Sequence, residues 1–220
     1  MKQAGGTQDL FGGPPQAPTR EDLAADALLL RSFVMADAPL QEAIQAVLAR
    51  SPWRQMTTMR GYTMSVAMSN CGTAGWISDR RGYRYSTTDP LTGQDWPALP
   101  PVLQDLAARA AAAAGYARFT PDACLLNRYL PGTAMGLHQD RNERDLSQPI
   151  VSVSLGIAAT FLFGGAQRSD PTRRVELAHG DVVVWGGASR LHFHGIAKLK
   201  AARHPFAGEA RINLTFRRAL

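Results

Sequence analysis

A chain of 220 residues is long enough to bury one substantial core, so a single domain is expected, with at most an appended subdomain. Its 24 Lys and Arg against 18 Asp and Glu leave a formal charge of +6, a surplus that favours a polyanionic partner by Coulomb attraction without naming one. Two cysteines, Cys71 and Cys124, stand far apart and outside any CxxC or Cys/His spacing; this speaks against a zinc site and a disulfide framework and fits a reducing compartment.

Residues 1–20 are rich in Gly, Pro and Gln around Gly12-Gly13-Pro14-Pro15, a composition that buries too little apolar surface to order itself, so a flexible tail is expected ahead of one domain over 21–220. The start has no apolar h-region, and Arg31 interrupts the apolar stretch from Leu28 to Val34. Neither a signal peptide nor a membrane span is expected, and a cytoplasmic location follows. Leu40, Ile44, Val47 and Leu48 recur at helical spacing behind Asp37, the expected cap, and Pro39 in the first turn. The next segment, 52–98, interleaves Trp53, Trp76, Tyr83, Tyr85 and Trp96 with Arg80, Arg81 and Arg84, the composition of a lid that meets a ligand. A second helix is expected over 101–114, with Val102, Leu103, Leu106 and Ala110 on one face and Gly115 at its end. From about residue 123 the texture changes to short β-rich runs separated by Gly, Pro and Asp: 124–129, 150–155, 160–163, 175–177, 182–185, 191–196 and 211–217. Seven or eight strands at this spacing suit a double-sheet jelly roll. The expected fold is therefore mainly β within the α+β class, a jelly-roll core over 123–218 with flanking helices.

His138 and Asp140 are two apart, and on an extended chain such residues project to the same side and can share one metal. His192 and His194 each offer a third ligand. Two imidazoles and a carboxylate on one face of an octahedral iron leave three positions for a bidentate 2-oxo acid and dioxygen. The run 211–217 alternates polar Arg211, Asn213, Thr215 and Arg217 with apolar Ile212, Leu214 and Phe216. On the interior of a closed barrel those arginines need an anionic partner, which a dicarboxylate such as 2-oxoglutarate supplies, and a guanidinium fork suits it better than an ammonium. Asn127 and Tyr129 form a similar face and can add neutral hydrogen bonds.

These residues stand in recognisable blocks: Asn127-Arg128-Tyr129, Met135-Gly136-Leu137-His138-Gln139-Asp140, Val151-Ser152-Val153-Ser154-Leu155-Gly156, 179–187 from His179-Gly180-Asp181 to Gly186-Gly187, and 211–217. Together they closely resemble the bacterial AlkB demethylases from about residue 53 to 218. The resemblance implies a double-stranded β-helix that uses Fe(II), 2-oxoglutarate and dioxygen to remove methyl groups from N-alkylated bases such as N1-methyladenine and N3-methylcytosine, releasing formaldehyde, succinate and carbon dioxide. It implies His138, Asp140 and His194 as iron ligands, the ligand before Gly-Ile selecting His194 over His192, whose role becomes packing or a supporting hydrogen bond. It implies Asn127, Tyr129, Arg211, Asn213 and Arg217 around 2-oxoglutarate. Segment 52–98 becomes a nucleotide-recognition lid, with Trp76, Tyr83, Arg84, Tyr85 and Arg168 in the base-recognition region. Asn142 departs from the family pattern, which has an aspartate near the target base. His179-Gly180-Asp181, despite its ligand-type residues, reads as a turn into the strand at 182–185. The expected partner is alkylated DNA in single-stranded form, with RNA as the alternative, and a monomer is expected. The competing readings are a dioxygenase of the same fold acting on transfer RNA, protein or a small molecule, and a non-catalytic nucleic-acid binding module.

Overall fold

The computed structural model describes residues 19–34 and 36–220; most of the expected tail, residues 1–18, lies outside the described residues. Arg20 already begins β1 (Arg20–Ala24), which turns into β2 (Ala27–Leu30). At the turn Asp26 holds a φ of 58°, a left-handed conformation that aspartate tolerates, and its carboxylate accepts the Ala188 N–H. Helix α1 (Asp37–Arg50) buries Leu40, Ala43, Ile44 and Val47. The expected cap is corrected: Ala36 stands at the N-cap with no side-chain cap bond, because the Asp37 carboxylate instead meets His179 Nε2 at 2.8 Å. Helix α2 (Pro101–Ala113) starts on a proline, whose missing N–H costs nothing there, and is followed by Gly115 at φ 93°, the left-handed residue that ends many helices.

The strands that follow in chain order are β3 (Arg54–Thr57), β4 (Thr63–Gly72), β5 (Gly75–Asp79), β6 (Gly82–Ser86), β7 (Ala123–Tyr129), β8 (Met135–His138), β9 (Ile150–Gly156), β10 (Ala159–Phe163), β11 (Arg173–Leu177), β12 (Val182–Trp185), β13 (His194–Ile196) and β14 (Arg211–Arg217). Eight form one sheet in the order β1-β2-β12-β9-β14-β7-β4-β3, four form a second in the order β11-β10-β13-β8, and β5–β6 is a separate hairpin. This is the expected mainly β jelly roll, with both helices on the outer face of the large sheet. Side-chain alternation assigns the layers. Val182 and Val184 of β12 pack with the helices, whereas Val183 and Trp185 pack between the sheets. On β14, Leu214 and Phe216 lie under the helices, fully buried, where truncating Phe216 to alanine would cost about 3–5 kcal/mol. The polar face of β14 is therefore turned inward, into the space between the sheets.

The structure redraws three parts of the sequence reading. Within 52–98, β3 and β4 belong to the large sheet, β4 pairing with β7 through Met68 and Asn127, and β5–β6 alone stands apart. The strand expected over 191–196 shrinks to β13, because residues 187–189 form a 3-10 turn and the His192 N–H is taken by the Ser189 carbonyl. Cys71 and Cys124, distant in sequence, are cross-strand partners in β4 and β7, both free thiols. No helix among the described residues is long and apolar enough to cross a membrane.

Candidate metal and substrate site

Strands β8 and β13 are antiparallel neighbours whose register pairs His138 with His194. Gly195 makes this closeness possible: a Cβ there would lie 2.6 Å from the Met135 carbonyl oxygen and 3.1 Å from the Gly136 carbonyl carbon. Each imidazole donates its Nδ1–H to the backbone carbonyl two residues before it, His138 to Gly136 at 2.9 Å and His194 to His192 at 3.0 Å. A carbonyl only accepts, so Nδ1 carries the proton and in the neutral ring each Nε2 keeps its lone pair. They converge on Asp140, in the loop after β8, at 3.7 Å from Oδ1 and 3.8 Å from Oδ2. One ligand atom from each residue lies within 4.8 Å of the others, and this is the single such group of three among the described residues. Burial alone would raise the Asp140 carboxyl, but the Arg217 guanidinium and the two imidazoles outweigh it and hold the group well below the usual carboxylate range. Burial, with His138 beside it, pushes His194 down to about 4, so the ring is neutral at physiological pH, as a metal ligand must be.

A cavity of about 550 Å³ opens over these atoms. Its inner wall is the polar face of β14 together with β7, in the register Arg211↔Tyr129 and Asn213↔Asn127. Arg211 is 1% exposed. Its Nε donates to Ser154 Oγ at 3.0 Å and its guanidinium lies 5.0 Å from the centre of the Tyr129 ring. Its second terminal nitrogen, Nη1, is buried with no hydrogen-bond partner, as is Asn127 Oδ1. Asn213 is held by Ser152 Oγ and the Val153 carbonyl, and Thr215 donates back to Asn213 Oδ1. A buried guanidinium without an anion is expensive, and burial indeed drives Arg211 below its usual pKa. The residues present thus fit both groups: three convergent donors for Fe(II), and a buried guanidinium with Nη1 unpaired for a carboxylate. Arg217 is the exception on this wall, since its Nε and Nη2 already donate to Asp140 Oδ2.

The mouth of the cavity is formed from the hairpin and the loop after β8. Trp76 of β5 and Tyr83 of β6 stack with ring centres 5.5 Å apart and planes 15° from parallel, and Trp76 Nε1 donates to Asn142 Oδ1 at 3.3 Å. Arg168 reaches in from the opposite side, bonded to the Leu137 carbonyl and lying 5.7 Å from the centre of the Phe193 ring. Trp76, Tyr83, Asn142 and Arg168 all line the cavity; Arg84 and Tyr85 do not. Residues 83 and 84 take opposite faces of β6, and Arg84 accordingly clamps Asp79 of its own hairpin at 2.7 and 2.9 Å. Tyr85 shares the face of Tyr83 but turns its hydroxyl away, to Glu143 Oε1 at 2.7 Å. His192 packs its ring on Phe163, with centres 5.5 Å apart, and supports His194 through its carbonyl.

Residues 26–217 match the sequence model of the 2OG-Fe(II) oxygenase superfamily. A Salmonella typhimurium protein, alpha-ketoglutarate-dependent dioxygenase AlkB, is 57% identical over 212 residues, spanning 96% of this chain and 97% of its own. The Escherichia coli protein of the same name is equally similar over the same span. The chain belongs to the AlkB group of this superfamily. Among solved structures, that of OsALKBH1 superposes with a TM-score of 0.79 at 31% identity, over 90% of this chain and 99% of that one. Membership makes the chain an iron(II)- and 2-oxoglutarate-dependent dioxygenase.

In this AlkB-group chain the sequence reading missed two buried residues, Glu143 and Arg190. Arg190 Nη2 donates to Glu143 Oε2 at 3.0 Å, and its other nitrogens bond the carbonyls of Asp140 and Gln148. The two are 47 positions apart, and no periodicity or motif links them. Only the folded loop brings them together.

Proposed function

We propose that this chain oxidatively demethylates N-alkylated nucleic-acid bases, with His138, Asp140 and His194 holding Fe(II) and Arg211, Asn213, Asn127 and Tyr129 receiving 2-oxoglutarate. The observation that carries the reading is one cavity with a His/Asp/His group at its floor and a Trp76–Tyr83 aromatic face at its mouth. Bound iron, with 2-oxoglutarate and dioxygen, supplies the oxidising chemistry that hydroxylates the N-methyl group, yielding succinate and carbon dioxide. The resulting N-hydroxymethyl group then breaks its C–N bond, leaving formaldehyde and the restored base.

The chain's own contribution is positional. His138 and His194, each with Nδ1–H tied to a backbone carbonyl, would present Nε2 to the metal, and Arg217 occupies one oxygen of Asp140 so that the other is directed at it. Arg211, whose Nη1 has no partner, would take a carboxylate of 2-oxoglutarate, and Arg217, which lines the same cavity while bonded to Asp140, would add its charge to that binding. Trp76 and Tyr83 offer a flat surface for stacking, Asn142 an acceptor for an exocyclic amine, and Arg168 a cation for a phosphate. A methylated base edge is inaccessible inside a duplex, so the base must be extruded or already unpaired. Single-stranded alkylated DNA, handled by a monomer in the cytoplasm, is the preferred substrate in this reading.

The test is formaldehyde release from a methylated oligonucleotide in the presence of iron(II) and 2-oxoglutarate. Turnover of a methylated single strand exceeding that of the free nucleoside and of a methylated peptide is the expected result. Preference for the nucleoside or the peptide would overturn it.

A further inference from the structure

Two adjacent residues of the loop that carries Asp140 are bonded to two cross-strand neighbours of the hairpin. Trp76 and Tyr85 stand directly opposite each other in the β5–β6 ladder; Trp76 Nε1 donates to Asn142 and the Tyr85 hydroxyl to Glu143. Glu143 is no ordinary loop carboxylate, its side chain being 2% exposed. Besides Tyr85 it meets Arg190 at 3.0 Å and Arg217 Nε at 3.4 Å, and Arg217 in turn grips Asp140. The order Arg190, Glu143, Arg217, Asp140 alternates in sign, so each buried charge is balanced by its neighbours and none can shift alone without leaving another unpaired. Arg217 sits between two carboxylates that compete for it. The Tyr85 phenol weighs on that competition, because its hydrogen bond offsets part of the demand of Glu143 for the guanidinium.

We infer that Glu143 is a positioning residue that couples the base-side hairpin to the iron ligand Asp140, through the chain Tyr85–Glu143–Arg217–Asp140. Seating a base against Trp76 and Tyr83 moves the hairpin, Tyr85 moves with it, and Arg217 redistributes between Glu143 and Asp140. The oxidising centre is thereby informed that its mouth is filled. The inference rests on the proposed iron and nucleic-acid reading.

The test uses the full chain loaded with cobalt(II), whose d–d absorption reports ligand geometry without turnover, in the presence of 2-oxoglutarate. A methylated single strand should shift the wild-type spectrum. Tyr85→Phe removes one oxygen outside the cavity, and Glu143→Gln keeps shape while removing charge. Tyr85→Phe should bind the strand within about threefold of wild type yet lose more than half of the shift, and with iron its 2-oxoglutarate consumed per formaldehyde released should rise about threefold or more. Glu143→Gln should do the same; if it fails to fold, Tyr85→Phe decides alone. A full shift and an unchanged ratio in Tyr85→Phe would overturn the coupling, as would loss of strand binding in that variant, which would make Tyr85 a substrate contact. A wild-type chain that binds no methylated strand removes the substrate reading and the coupling with it.

Discussion

The inner wall and the mouth of the cavity are built on opposite principles. At the wall, most side chains come from strands in the middle of a sheet or are locked by a buried ion pair: Arg211 is 1% and Arg217 6% exposed, and Asp140 is held by a guanidinium, with His138 on the edge strand β8 the more open member. At the mouth, Tyr83 is 44% exposed and Asn142 and Arg168 lie at the surface, tied by a stack and single hydrogen bonds. Chemistry that depends on sub-ångström alignment is placed where packing prevents movement, and recognition of a bulky base is placed where movement is cheap. Substitutions at the wall should therefore act steeply and through the cosubstrate, and substitutions at the mouth weakly and through selectivity.

The steepest test is Asp140→Ala. Turnover of 2-oxoglutarate should fall to background, and iron should no longer rescue a chelator-treated sample. Because Arg217 loses its closest carboxylate, urea unfolding should also show a stability loss of up to about 3 kcal/mol, tempered by Glu143 on its other side. Full iron-dependent turnover in this variant would end the metal assignment. Next, Arg211→Lys keeps a charge but loses the fork, so the apparent affinity for 2-oxoglutarate should fall about tenfold or more, ~1.4 kcal/mol for each tenfold. An unchanged saturation curve would transfer the carboxylate to another residue.

At the mouth the effects should be smaller. If Arg168 and Arg141, the exposed residue after Asp140 that also lines the cavity, each meet a phosphate, affinity for a methylated single strand should drop about sevenfold between about 50 and about 200 mM salt, by release of counterions. Salt-independent binding would remove both contacts. The smallest change is expected for Asn142→Asp. N1-methyladenine is cationic, and a charge-assisted hydrogen bond is roughly twice as strong as a neutral one, so selectivity for it over an uncharged alkylated base should rise about threefold. The bond from Trp76 survives, since a carboxylate oxygen still accepts. Equal selectivity of the two proteins in a mixed-lesion competition would place residue 142 outside base recognition.

The wall was also the more legible region in the sequence. Alternation along 211–217 predicted β14 and its polar face, and the structure supplies what alternation could not, namely that the apolar side lies under the helices. The cluster of His138, Asp140 and His194 was visible as spacing and then narrowed by resemblance. By contrast, Arg84 was grouped with its aromatic neighbours although the same alternation, applied to 82–86, turns it to the other face. Strand β4 is hard to read in the sequence because its run of Ser, Ala, Met and Asn has weak β signals, and its place in the sheet comes from pairing with β7. Glu143 and Arg190 were illegible for a different reason. A buried ion pair is defined by the proximity of distant residues, and neither side chain carries a local mark of it.

The pairing of His138 with His194 across a β ladder, with Gly195 as its spacer, has a consequence for how the protein acquires its metal. The separation of the two imidazoles is a property of backbone register, fixed by the same hydrogen bonds that hold the sheet, and not something the ion must organise. Folding and metal loading are then separable events, unlike in small zinc modules whose fold exists only with the ion bound. A chain stripped of iron should keep its cooperative melting and accept the ion again in a simple second-order step, so that iron scarcity would idle the enzyme without committing it to degradation.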